Sequence, residues 1–224
     1  MAGLTKGQTE RLAAAVRTLG AHYPEAHCAL RGADSEFTLL MGLLLTQRTR
    51  TEVAEQALAS LASIARTPDQ LATIGVERII TAISGVAYPV SKASRLVQLS
   101  FALNDRHGGI VPEDQKELED LPGIGPKIAR LFLNLAHNEP TIAFDSHVLR
   151  LCRRLTGSSC SRAADFEHAL SARLNAEESV RAHHWMIEHA RTVCQTRKPK
   201  CGACQVANQC TGIVKRAPDK RSAQ

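Results

Sequence analysis

The sequence contains no apolar run approaching the roughly 20 residues needed to cross a bilayer. Its opening, "MAGLTKGQTERLAAA", lacks the long apolar core of a secretion signal, so a cytoplasmic protein without a membrane partner is expected. Almost no stretch alternates polar and apolar residues, which argues against strands. Repeats and low-complexity segments are also missing, and disorder is expected only at the ends. Acidic residues are slightly outnumbered, 22 against 28 lysines and arginines. That balance suits a polyanionic partner but is also common on ordinary soluble proteins. An even cysteine count is lacking too: there are seven. In a reducing compartment clustered thiols more often bind metal than form disulfides.

What is present is helical pattern, with 44% hydrophobic residues, enough to bury the cores of one or two domains. "TERLAAAVRTLGAHY" puts Leu12, Val16, Leu19 and Tyr23 on one face. "SEFTLLMGLLLTQ" starts with a capping serine, Ser35, and is apolar nearly all round, as a central helix packed on several sides would be. Thr67 and Pro68 form a cap and first helical position, and "SKASRLVQLSFALNDRHGG" carries Leu96, Leu99 and Leu103 until Gly108 and Gly109 stop it. Further helices are expected in "SHVLRLCRRL", "AADFEHALSARL" and "EESVRAHHWMIEHARTVC". The fold class expected is all-α.

Between two helical patterns lies "LPGIGPKIA". Gly123 and Gly125 can adopt positive φ at little cost, and Pro126 suits the first position of the helix that follows. The N–H groups at that helix start can hold an anion such as a DNA phosphate, or the stretch is a plain helix–helix connection. Lys127 would be the second residue of the helix, where the positive end of the macrodipole favours the neutral, nucleophilic amine; a solvated lysine at a helix end is the other reading. In "TIAFDSHVLRL", Asp145 precedes a helix and can accept N–H bonds as its cap, which would hold it as a carboxylate. A cap alone explains it; an anion and an activatable amine, each at a helix start, also make a catalytic pair.

Four cysteines fall in "CQTRKPKCGACQVANQC", with six, two and five residues between them. Structural zinc sites usually use two short pairs, and only Cys201 and Cys204 form one here. Four closely spaced thiolates also suit an iron–sulfur cluster. Arg197, Lys198 and Lys200 occupy the six-residue insert, where a loop pinned by metal would present them to phosphates. Cys28, Cys152 and Cys160 read as small buried hydrophobes or bystanders.

Taken together, "VPEDQKELEDLPGIGPKIARLFLN", "TIAFDSHVLRLCRR" and the cysteine spacing resemble the endonuclease III family of DNA glycosylases, from about Ala29 to Cys210. The resemblance implies two helical domains with a DNA-binding groove between them. One, 29–139, is a six-helix barrel carrying the helix-hairpin-helix; the other joins 1–28 to 140–215 and holds a 4Fe-4S cluster on Cys194, Cys201, Cys204 and Cys210. A basic tail, 216–224, is left over. Lys127 becomes the nucleophile and Asp145 the catalytic carboxylate, with Gly123, Ile124 and Gly125 as the phosphate-binding turn. Gln47 falls where the family inserts a glutamine into the gap left by the flipped nucleotide, and Tyr88 at the wedge position, its loop stiffened by Pro89. The implied activity is base excision repair of oxidised pyrimidines by a bifunctional glycosylase and abasic-site lyase, a monomer on damaged double-stranded DNA in the nucleoid. A damage-sensing binder with little catalysis is the alternative. The sequence departs from the family at Pro126, where a basic residue is frequent, in "AYPVSKA", and at Arg48 and Arg50, where relatives tend to be small or acidic.

Overall fold

The structure, a computed structural model, describes residues 3–27, 30–160 and 162–212. Among these there is no strand, and eleven α-helices follow in order. They are α1 (Lys6–His22), α2 (Glu36–Thr46), α3 (Thr51–Ala62), α4 (Pro68–Thr73), α5 (Val76–Ala82), α6 (Pro89–His107), α7 (Gln115–Glu119), α8 (Pro126–His137), α9 (Ser146–Thr156), α10 (Ala163–Ser171) and α11 (Ala176–Thr192). None of the described helices is long and apolar enough to cross a membrane. The chain divides into two compact units, Cys28–Ala143 and the pair of segments Met1–His27 and Phe144–Gln224. Cys28 and the basic tail 216–224 lie outside the described residues.

In the inner unit α2 sits against α3, α6 and α8. Its apolarity on all sides has that cause: Phe37, Leu40, Met41, Leu43, Leu44 and Leu45 are all buried. Each full burial of such a side chain is worth about 1.5–3 kcal/mol. Ser35 caps α2 by accepting from the Thr38 N–H, and the Thr38 hydroxyl returns to the Ser35 N–H. Residues 140–143, expected with the outer unit, pack with α8 instead. Asn134 Nδ2 donates to Thr141 O at 3.2 Å, the Thr141 hydroxyl donates to Arg130 O at 2.8 Å, and Ala143 joins the inner core.

In the outer unit α1 packs on α9, α10 and α11, with Leu12, Val16 and Leu19 buried as their spacing requires. Arg17 ties α1 to α11 through Glu178 at 2.7 Å. His184 of α11 is buried, stacked on His27 with ring centroids 4.9 Å apart. Burial, followed by the charges of His183, His27 and Arg181, pulls it down to about 3 from 6.5. The native state therefore keeps this ring neutral where the unfolded chain takes up a proton, so stability is lost as pH falls from about 6.5 toward 3. Urea melts at pH 7 and pH 5 should differ by about 2 kcal/mol less in His184→Phe than in the parent. An unchanged difference would contradict a neutral His184.

Candidate active site

The hairpin joins α7 to α8 in the inner unit. Asp114 caps α7, its carboxylate accepting the N–H groups of Lys116 and Glu117. The chain then turns at Leu121, whose N–H donates to Leu118 O. Gly123 has φ +85°, a conformation that favours glycine, and a Cβ there would stand 3.1 Å from Leu44 Cδ1 and 3.3 Å from Arg95 Cδ, pressing on both side chains. Ile124 is an anchor: its side chain is only 4% exposed, in the core, and its N–H donates to Leu121 O. Among the described residues, neither the Gly123 nor the Gly125 N–H has a backbone or side-chain acceptor. Two donors at the mouth of α8 are thus left for an anion.

Pro126 is the first residue of α8 and Lys127 the second. Lys127 lines an open pocket of about 390 Å³ with Leu43, Thr46, Gln47, Gly123 and Ile128. The volume falls in the range of sites for small organic groups. Gln47, at the C-terminus of α2, is half-buried and donates through Nε2 to Gly123 O at 3.0 Å, so its side chain is already joined to the hairpin.

Beside it stand two residues in the left-handed region, Arg48 (φ 54°) and Tyr88 (φ 60°). Tyr88 is 61% exposed, and Pro89 begins α6 directly after it. The Arg48 guanidinium lies over the Tyr88 ring, 5.9 Å from its centre, within reach of a cation–π attraction. Arg50 stands before α3 without capping it. One residue the sequence reading passed over is Lys92, which is buried on α6; burial, then Arg95, lowers its amine to about 8 from 10.5. A lysine in an amphipathic helix gives no sign of burial when its partners are distant in sequence.

In the outer unit Asp145 caps α9, one carboxylate oxygen accepting the N–H groups of His147 and Val148, each at 2.9 Å. Cys194, Cys201, Cys204 and Cys210 line one cavity together with Arg154, Val193, Pro199 and Gly212. Burial pushes the Cys204 and Cys210 thiols up, and the charges of the other cysteines add to it. Among the described residues, no three His, Cys, Asp or Glu side chains converge closely enough to hold a single metal ion. Arg197, Lys198 and Lys200 are exposed on the insert, Lys198 in the left-handed conformation.

Arg150 and Arg154, one helical turn apart on α9, hold the start of this loop. Arg150 Nη2 donates to Ala190 O and Cys194 O; Arg154 Nη1 donates to Gln195 O at 2.7 Å and lies 3.4 Å from Cys194 Sγ. The far end closes on the same helix, where Gly212 N donates to Arg154 O at 2.7 Å. A Cβ on Gly212 would stand 2.8 Å from that oxygen. His189 places Nε2 3.5 Å from Cys204 Sγ and Nδ1 3.1 Å from Tyr23 Oη. Burial, then His22, lowers His189 to about 4. Of the other cysteines, Cys152 is fully buried, its thiol pushed up to about 12 by burial, and Cys160 is partly exposed.

Residues 41–175 match the HhH-GPD superfamily of base excision DNA repair proteins, and the chain is 38% identical over 177 residues to endonuclease III of Escherichia coli K12. The chain belongs to this superfamily, in its endonuclease III family. The Escherichia coli match covers 79% of this chain and 84% of that protein. Endonuclease III of Treponema pallidum is 36% identical, over 78% of this chain and 82% of its own. A solved structure described as a trapped endonuclease III–DNA covalent intermediate superposes with a TM-score of 0.85 at 27% identity, covering 91% of this chain and 96% of that one. The all-helical HhH-GPD fold is therefore shared.

Proposed function

We propose that this chain excises oxidised pyrimidines from duplex DNA and then cuts the strand at the abasic sugar, with Lys127 as the nucleophile. It is a base excision repair DNA glycosylase of the endonuclease III family, and it binds DNA. The observation that carries the reaction is the placement of Lys127: second residue of α8, lining a pocket, directly behind two hairpin N–H groups suited to a phosphate. A similar solved chain was caught covalently joined to DNA, which supports a nucleophilic route here.

A damaged base pairs and stacks weakly, which lowers the cost of its extrusion. The Lys127 amine, once deprotonated, bonds to the anomeric carbon of the deoxyribose while the bond to the base breaks, the base leaving with that electron pair. Asp145 is assigned the carboxylate role by its motif: it stabilises the positive charge developing on the sugar and takes the proton the amine releases. The C1′–O4′ bond then breaks, O4′ taking a proton as the sugar ring opens, and the Schiff base so formed acidifies C2′. Loss of a C2′ proton then expels the 3′ phosphate, and the strand is cut on that side.

Cys194, Cys201, Cys204 and Cys210 are the residues that would hold a 4Fe-4S cluster in this reading. The four thiols line one cavity, and a donor set of four cysteines suits the iron–sulfur cluster that the family resemblance implies. A cluster held there would tie down the loop that carries Arg197, Lys198 and Lys200, so that these charges would meet phosphates already ordered. Incubation with duplex containing thymine glycol or an abasic site, in the presence of borohydride, should give a covalent protein–DNA adduct. Salt-sensitive binding with neither adduct nor strand cleavage would instead establish a damage sensor.

A further inference from the structure

Lys92 is a buried cation that the reaction above does not use. Its side chain lies in the inner unit at 4% exposure, and its ammonium donates to Leu45 O at 2.7 Å, Gln47 O at 2.8 Å and Thr49 Oγ1 at 2.8 Å. All three donors are therefore satisfied, which is the condition for tolerating a charge removed from water. Two of the acceptors are carbonyls at the C-terminal end of α2, where a cation also opposes the negative end of the helix dipole.

The bonds do more than close a helix. Thr49 Oγ1 also accepts from the Ala87 N–H at 3.1 Å, so the 45–49 segment and the 87–92 segment are joined at two points. Immediately outside that junction project Arg48 and Tyr88, both left-handed, and Gln47 leads into the hairpin through Gly123. We infer that Lys92 is a positioning residue for base extrusion, fixing the Gln47–Arg48 and Tyr88 loops against each other so that they enter the DNA stack as one rigid unit. This rests on the proposed function, in which Gln47 and Tyr88 occupy the opened duplex. Rigid presentation removes an ordering cost that flexible loops would meet on binding, and a misplacement near 1 Å is enough to cost about 100-fold in rate.

The test compares one lesion in two contexts: thymine glycol in a fully paired duplex, and the same lesion inside a short unpaired bubble flanked by duplex, where the stack is already open. Lys92→Met keeps the length of the side chain and removes the charge. Its single-turnover excision should fall about 100-fold on the paired duplex and stay within about 3-fold of the parent in the bubble. 2-Aminopurine placed beside the lesion, which brightens as the stack opens, should brighten correspondingly slowly, and Lys92→Arg should recover part of the loss. Should Lys92→Met not fold, Thr49→Val removes only the hydroxyl where the two segments meet and should show the same bias toward the bubble, at about 10-fold. Equal losses in both contexts, or a lower melting temperature with no loss of rate, would reduce Lys92 to a structural cap and overturn the inference. If the parent forms no borohydride adduct, it is instead the nucleophile assignment that fails.

Discussion

Lys127→Ala should form no borohydride adduct and should lose excision by on the order of 10³-fold or more, with DNA binding and melting temperature close to the parent's. The separation is expected because alanine is a good helix former and α8 is held in place by burying Ala129, Phe132 and Leu133, which face away from Lys127. The hairpin N–H groups belong to Gly123 and Gly125 and survive the change, so phosphate binding survives too. Lys127→Arg provides the complementary case. It keeps a positive charge at the pocket but cannot form a Schiff base, so it should bind DNA like the parent and still give no adduct. Gel analysis of trapped adducts together with binding at two salt concentrations decides the matter. Trapping that persists in Lys127→Ala would move the nucleophile to another amine.

The second large effect is expected in the cysteine loop. Cys204→Ser should purify with little iron, lose the brown absorbance near roughly 400 nm, and melt more than about 10 °C below the parent. The segment 194–212 contains two short 3-10 turns and few buried apolar side chains; Val206 is the main one. Without a central group its order would depend on Arg150, Arg154 and the closing bonds to α9. Affinity for DNA should fall with it, since Arg197, Lys198 and Lys200 ride on the same loop. Cys160→Ser is the control, because Cys160 lies outside the loop beside Asp165 and should change neither iron content nor colour. Iron analysis, absorbance and thermal melts of freshly purified protein read all of this. Stoichiometric zinc in a colourless parent would overturn the cluster.

Local signals were readable from the sequence wherever their physical cause was local. The Ser35, Thr67 and Asp145 caps, the Gly108 stop and the Pro126 helix start each act within a few residues, and each stands where the pattern indicated. The burial of α2 on all sides followed from its composition. What escaped depends on contacts between distant segments. Lys92 finds its acceptors more than 40 positions upstream, and Arg150 and Arg154 bind carbonyls about 40 positions downstream. An isolated lysine or arginine on a helix reads as solvated, because the partners that justify burial cannot be seen along one stretch of chain. Tyr88 was assigned to the wedge loop, but no rule of composition predicts a tyrosine with φ 60°.

That tyrosine and its neighbour Arg48 have a bearing on how robust the protein can become. A left-handed backbone costs a residue with a side chain roughly 1–2 kcal/mol, so the resting protein carries this tension at two adjacent prominences before any DNA arrives. Glycine at either position would relieve it and harden the fold against heat, yet it would erase the ring or the guanidinium and loosen their bearing. If Tyr88 enters the opened duplex as proposed, thermal endurance and a ready grip on the helix are opposed at this loop, and a search for hardier variants should look elsewhere in the chain.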